Sequence, residues 1–306
     1  MNSTVILKGN ILYTPRPSEF ISIQHGYIIA VDGVVVYCGE SIPPAYADRE
    51  VTDYGDNLII PGFVDTHAHA PQYCNRGLGM DKELLPWLET YTFPEEAKFS
   101  DLDYARLVYG AFVQDLWRNG TTRSILFGTI HKESTLVLME LLQKAGLSAY
   151  VGKVNMDCNS PDFLIEETSQ SLADTKDWLE ASAQFGPLVK PIITPRFVPS
   201  CTSELMDGLG TLSEEYKVPV QSHLSENHGE IDWVGALHPE SPNYTDVYYE
   251  HKLMGRTPTV MAHCIHLSDV EMDRMAETQT MVSHCPYSNV NLSSGIAPIR
   301  KLMKRN

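Results

Sequence analysis

The chain has 306 residues, 43% hydrophobic and 20% charged, with 39 acidic against 23 basic side chains and a formal net charge of -16. This is the composition of a globular chain with room for a large core, and a single α/β barrel can use most of such a length. The acidic balance excludes a surface built for nucleic acid or anionic lipid, and no run of about 18 apolar residues offers a membrane span.

The start, Met1-Asn2-Ser3-Thr4, lacks the basic and apolar regions of a secretory signal. Six cysteines (Cys38, Cys74, Cys158, Cys201, Cys264 and Cys285) are scattered with no Cys-x-x-Cys pair, as reduced thiols are in a cytoplasmic protein. A cytoplasmic location is expected. Residues 5–57 hold short β-rich runs, Val5-Ile6-Leu7, Ile11-Leu12-Tyr13, Tyr27 to Val31 and Val34 to Tyr37. They predict a small antiparallel sheet with Asp32-Gly33 as a hairpin turn.

From Leu58 an apolar run punctuated by Pro61-Gly62 leads to His67-Ala68-His69, which reads as a buried strand. Alternate residues of a strand share a face, so His67 and His69 present two imidazoles side by side, a pair suited to a metal. Strand and helix then alternate. Strands are expected at Thr121–Phe127, Ala149–Val154, Val189–Thr194, Val218–His223, Thr257–His263 and Thr280–His284. Helices are expected around Leu102–Trp117, Ser134–Lys144, Ile165–Phe185, Glu204–Tyr216 and Asp269–Glu277. Seven apolar strands in such alternation predict a (β/α)8 TIM-type barrel, α/β in class, seen over seven strands. The predicted division is a β-sheet domain, 1–57, and a barrel, 58–306. Functional groups of barrels sit at strand C-termini, and His67, His69, His223, His263 and His284 all fall there.

Several segments carry a specific resemblance. Pro61 to His69, His223-Leu224-Ser225-Glu226, Met261-Ala262-His263 and His284 to Asn289 resemble the strand motifs of the metal-dependent aminohydrolases in the amidohydrolase superfamily. Within that branch the likeness is to the guanine deaminases. It rests on His69-Ala70-Pro71-Gln72-Tyr73, Thr90 to Pro94, Val151 to Val154, Met156-Asp157, Thr194-Pro195-Arg196-Phe197 and Gln221 to Asn227.

The resemblance implies one zinc per chain, with iron as the alternative, held by His67, His69, His223 and His263. It implies that Glu226 moves a proton to the purine, with His263 and His284 as further catalytic groups. The implied substrate-binding set is His69, Gln72, Arg196, Phe197, His223 and Glu226. Arg196 suits guanine O6 and N7 as arginine does in reading guanine in DNA, and Gln72 offers both a donor and an acceptor. Asn289 is a weaker candidate of the same motif. Lys153 and Lys190 read as structural, and nothing in Ile192-Ile193-Thr194-Pro195-Arg196 on strand four supplies a lysine to bridge two metals. His25, His131, His228, His238, His251 and His266 read as surface or core residues. The His-x-Glu and Pro-Cys-x-x-Cys signature of the other zinc deaminases is absent.

The implied reaction is hydrolytic deamination of guanine to xanthine and ammonia by a metal-activated water, in a homodimer. Deamination or dechlorination of a pterin or s-triazine is the enzymatic alternative, and an impaired homologue acting as a binding protein is a third reading. The family completes its site with an aspartate from an eighth strand, in a Gly-Thr-Asp context. No such segment precedes Asn306, so residues 1–306 alone are expected to hold metal in part and to be nearly inactive.

Overall fold

The computed structural model describes residues 3–79 and 81–305. The chain divides into two compact units, the first ending at Phe63 and the second beginning at Val64.

The first unit is a four-stranded sheet of β1 (Thr4–Arg16), β2 (Glu19–Val31), β3 (Val34–Gly39) and β4 (Thr52–Ile59), ordered β3-β2-β1-β4. Asp32 (φ 50°) and Gly33 (φ 81°) form the expected hairpin turn, with Val31 opposite Val34. Both turn residues are left-handed, the geometry that matches strand twist in a two-residue hairpin.

Two expectations are corrected here. Val5-Ile6-Leu7 and Ile11-Leu12-Tyr13 are one strand, because Gly9 and Asn10 make an irregularity in the ladder rather than a turn. Leu58 and Ile59 do not begin the strand of His67. They end β4, which runs parallel to β1, and the chain resumes as β5 (Phe63–His69) after Pro61, which has no N–H to give a ladder. Nor is the run buried: Leu58, Phe63 and Val64 are 57%, 58% and 56% exposed.

The second unit alternates as expected. After β5 come short turns that include α1 (Leu84–Trp87), a wider π-type turn at Leu88–Thr92, and α2 (Phe93–Glu96). There follow α3 (Leu102–Arg118), β6 (Thr121–Phe127), α4 (Lys132–Ala145), β7 (Ser148–Gly152), β8 (Val154–Asn155), α5 (Thr168–Ser182), β9 (Val189–Pro191), β10 (Thr194–Pro195), α6 (Ser203–Tyr216) and β11 (Val220–Leu224). The series closes with α7 (His228–Leu237), α8 (Tyr244–Glu250), β12 (Thr259–His263), α9 (Asp269–Glu277), β13 (Met281–Ser283), α10 (Pro286–Asn291) and α11 (Ile299–Leu302). Asp101 caps α3 by accepting from Asp103 N at 2.9 Å. Gly146, with φ of 71°, stops α4.

The strands join in parallel as β5-β6-β7-β9, β8-β10 and β11-β12-β13, and an Ile193–Val220 bridge links the fourth position to the fifth. Since β7 and β8 share one position, as do β9 and β10, these are the seven expected strands. The array is curled. Gln221 Nε2 on β11 donates to Leu126 O on β6 at 3.0 Å, and Thr66 Oγ1 on β5 lies 2.6 Å from Ser283 Oγ on β13. Among the described residues no backbone ladder joins β5 to β13, so the barrel is open at that seam. Leu126, Val151 and Val220 from the strands pack with Val113, Leu138, Trp178 and Leu209 from the helices. Curling turns the C-terminal strand ends toward one another. Among the described residues no helix is long and apolar enough to cross a membrane.

Candidate active site

β5 ends on the alternating pair His67 and His69, β11 carries His223 and β12 ends on His263. The curl brings them together: ring centroids lie 4.8 Å apart for His67–His223, 5.2 Å for His67–His69 and 5.3 Å for His67–His263. Phe127, at the end of β6, stacks on His69 at 4.5 Å. His263 has a φ of 69°, a left-handed conformation that costs roughly 1–3 kcal/mol and is found where surroundings impose it.

Second partners choose the free nitrogens. His223 Nδ1 lies 2.6 Å from Arg196 O. A carbonyl only accepts, so Nδ1 carries the proton and Nε2 keeps its lone pair. His263 Nδ1 likewise donates to Asn289 Oδ1 at 2.8 Å. Burial, followed by neighbouring imidazoles, holds His67, His69 and His223 well below the usual histidine range, and burial also lowers His263. All four are therefore neutral and ready to ligate.

The donor set fits a divalent cation. Donor atoms of His67, His69 and His223 lie within 4.8 Å of one another. His69 Nε2 faces His223 Nε2 at 3.0 Å, while the buried Nδ1 of His69 has no hydrogen-bond partner. Two ring nitrogens aimed at each other, with an orphan behind one of them, suit a cation between them better than a hydrogen bond.

The same recess is lined by Gln72, Arg196, Phe197, Glu226 and Glu230, with Leu84, Trp87, Leu88 and Leu292 as its apolar walls. Glu226 Oε2 lies 3.3 Å from His263 Nε2, and burial raises its carboxyl to about 8. Arg196 is 2% exposed.

His284 does not join this group. It is exposed and is not among the side chains lining the recess. β13 ends at Ser283, and the next residue that approaches the histidines is Cys285, not His284. Cys285 Sγ forms a second close set with His67 and His263. Sequence reasoning also missed Glu230, which accepts from the N–H groups of Glu226 (3.0 Å) and Asn227 (3.3 Å) and from the Tyr244 hydroxyl (2.7 Å). The spacing Asn227-x-x-Glu230, a capping box, was its available signal. Glu96 was missed with no such signal. It is 1% exposed and pairs with Arg196. Lys153, read as structural, is buried against Glu166 at 2.6 Å.

An α/β parallel array with histidines of three strands gathered at its C-terminal end defines a metal-dependent hydrolase of the amidohydrolase type. The Amidohydrolase family profile matches residues 58–306. The chain is 51% identical to guanine deaminase of Dictyostelium discoideum over 84% of its own length and 57% of that protein. It is 39% identical to guanine deaminase of Escherichia coli over 95% of its own length and 67% of that protein. The solved structure of guanine deaminase from C. acetobutylicum, with guanine bound in its active site, superposes with a TM-score of 0.97 at 51% identity, over 99% of this chain and 72% of that one. The chain belongs to the guanine deaminase family of the amidohydrolases, whose members depend on a metal. It spans little more than half the length of the Dictyostelium relative.

Proposed function

We propose that the protein acts in the hydrolytic deamination of guanine to xanthine and ammonia. One observation carries this reading: a buried arginine and a glutamine face the same recess as the polyhistidine cluster and a buried glutamate. That combination joins a purine-reading edge to hydrolytic groups, and the guanine held by the C. acetobutylicum relative supports it.

His67, His69, His223 and His263 would hold one zinc ion, which when bound supplies Lewis acidity and an activated water at neutral pH. Arg196 donates to O6 and N7 of the purine, as in guanine readout elsewhere. Gln72 completes the amide edge, and Phe197, 5% exposed, closes the apolar side. Glu226, with a carboxyl raised to about 8, keeps its proton at neutral pH and delivers it to a ring nitrogen of the bound purine. Burial limits competing water around that transfer.

The test incubates zinc-loaded protein with guanine and follows xanthine and ammonia in equal amounts. Chelation should abolish both. Guanine that neither binds nor yields xanthine overturns the reading, and turnover of a pterin or s-triazine in its place favours the alternative heterocycles.

A further inference from the structure

Glu96 has no part in the reaction as proposed, yet it is among the most deeply buried acids of the second unit, with a side chain 1% exposed. It meets an arginine 100 residues away in the chain. Oε2 accepts from Arg196 Nη1 at 2.5 Å and Oε1 from Nη2 at 3.1 Å. Such two-point pairing sets the plane of a guanidinium as well as its position. Oε1 also accepts from Gln72 Nε2 at 3.1 Å. Phe93, three residues earlier on α2, places its ring 5.0 Å from Arg196 Cζ. One short turn thus supplies both the face and the edge of a cradle. The pairing uses one N–H of each terminal nitrogen, and Nη1 also lies 4.0 Å from Met156 Sδ, which leaves Nε and the second N–H of Nη2 for a ligand.

We propose that Glu96 is a positioning residue for purine recognition. It locks Arg196 and Gln72 in the orientation that reads the O6/N7 edge, and this inference rests on the guanine reading above. A merely structural ion pair would affect stability and leave ligand discrimination alone.

The experiment uses two purines without a 2-amino group to lose: hypoxanthine, which has O6, and unsubstituted purine, which lacks it. Their Kd values are measured on zinc-loaded protein for the unsubstituted chain, Glu96→Gln, Glu96→Asp, Arg196→Met and the Glu96→Gln/Arg196→Met pair. Glu96→Gln and Arg196→Met should each lower the preference for hypoxanthine by about 10- to 100-fold, the range for a charged hydrogen bond. The double variant should lose much less than the sum of the two single losses, because Glu96 acts mainly through Arg196. Metal content should stay unchanged. Where Glu96→Gln fails to fold, Glu96→Asp keeps the charge but shortens its reach, and the preference should still fall several-fold.

A preference that survives in both Glu96 variants but collapses in Arg196→Met overturns the role of Glu96 alone. Glu96 Oε1 also lies 4.0 Å from Nδ1 of His69, so a loss that tracks loss of metal overturns the role, as do additive losses in the double variant. A preference unmoved by Arg196→Met overturns the O6/N7 reading itself, and the inference with it.

Discussion

At His223 the acceptor for the inner ring nitrogen is the main chain of Arg196; at His263 it is a side chain, Asn289. The second arrangement can be removed without touching a ligand. Asn289→Ala should weaken metal binding by about 10- to 100-fold, the usual cost of losing such a partner, as read by competition with a chelator. Unchanged affinity would show that Asn289 does not orient His263. Glu230 gives a pH prediction. Burial, followed by the neighbouring Glu226, raises its carboxyl from 4.5 to about 7. A folded-state value above the unfolded one means that the folded protein holds the extra proton. Its contribution is therefore complete below pH 4.5 and is lost as pH rises through about 7. Relative to the parent, Glu230→Gln should gain about 1.4 kcal/mol of stability for each pH unit across that window, measured by denaturant unfolding. A flat difference would mean that Glu230 is ionised throughout. The identities of His67, His69, His223, His263, Glu226 and Arg196 were legible from strand ends and motifs. Their protonation was not, because it depends on acceptors that folding supplies.

Among the elements, the N-terminal hairpin was readable because its signal is local: Asp32-Gly33 between β-branched runs has one favoured geometry. Gly33 has open space where a Cβ would go, so Gly33→Ala tests backbone strain alone. It should cost about 1 kcal/mol, and an unchanged midpoint for the first unit would argue against the left-handed turn. The strand of His67 was misread at its start for the opposite reason. Leu58-Ile59-Ile60 has strand character, but nothing local states which sheet it joins, and pairing with β1 is decided at a distance. α7 shows one residue serving two levels. Glu230 closes the helix's capping box and also lines the recess, so the start of that helix and the floor of the site are built together.

For the whole molecule, the decisive feature is the curl of seven parallel strands, which sets His69 beside His223 across 154 residues of chain. The cation proposed for β5, β11 and β12 would tie distant strands and bind the folded state in preference to the unfolded one. Zinc at 100 times its Kd should add about 2.7 kcal/mol to stability, seen as a higher Tm by calorimetry. His67→Ala should lose most of that gain. An equal rise in both proteins would place the metal elsewhere.

The sequence by itself determined the alternation of strand and helix, the parallel array and the placement of histidines at strand ends, because periodicity and strand-end chemistry are written over a few consecutive residues. Only the tertiary structure decided that Cys285 lies beside His67 and His263 while His284 is exposed, that among the described residues the seam between β5 and β13 carries a side-chain contact and no ladder, and that Glu96 meets Arg196. Those facts depend on strand register, on curvature and on the need of a buried guanidinium for a counter-charge. All three arise between residues far apart in the chain.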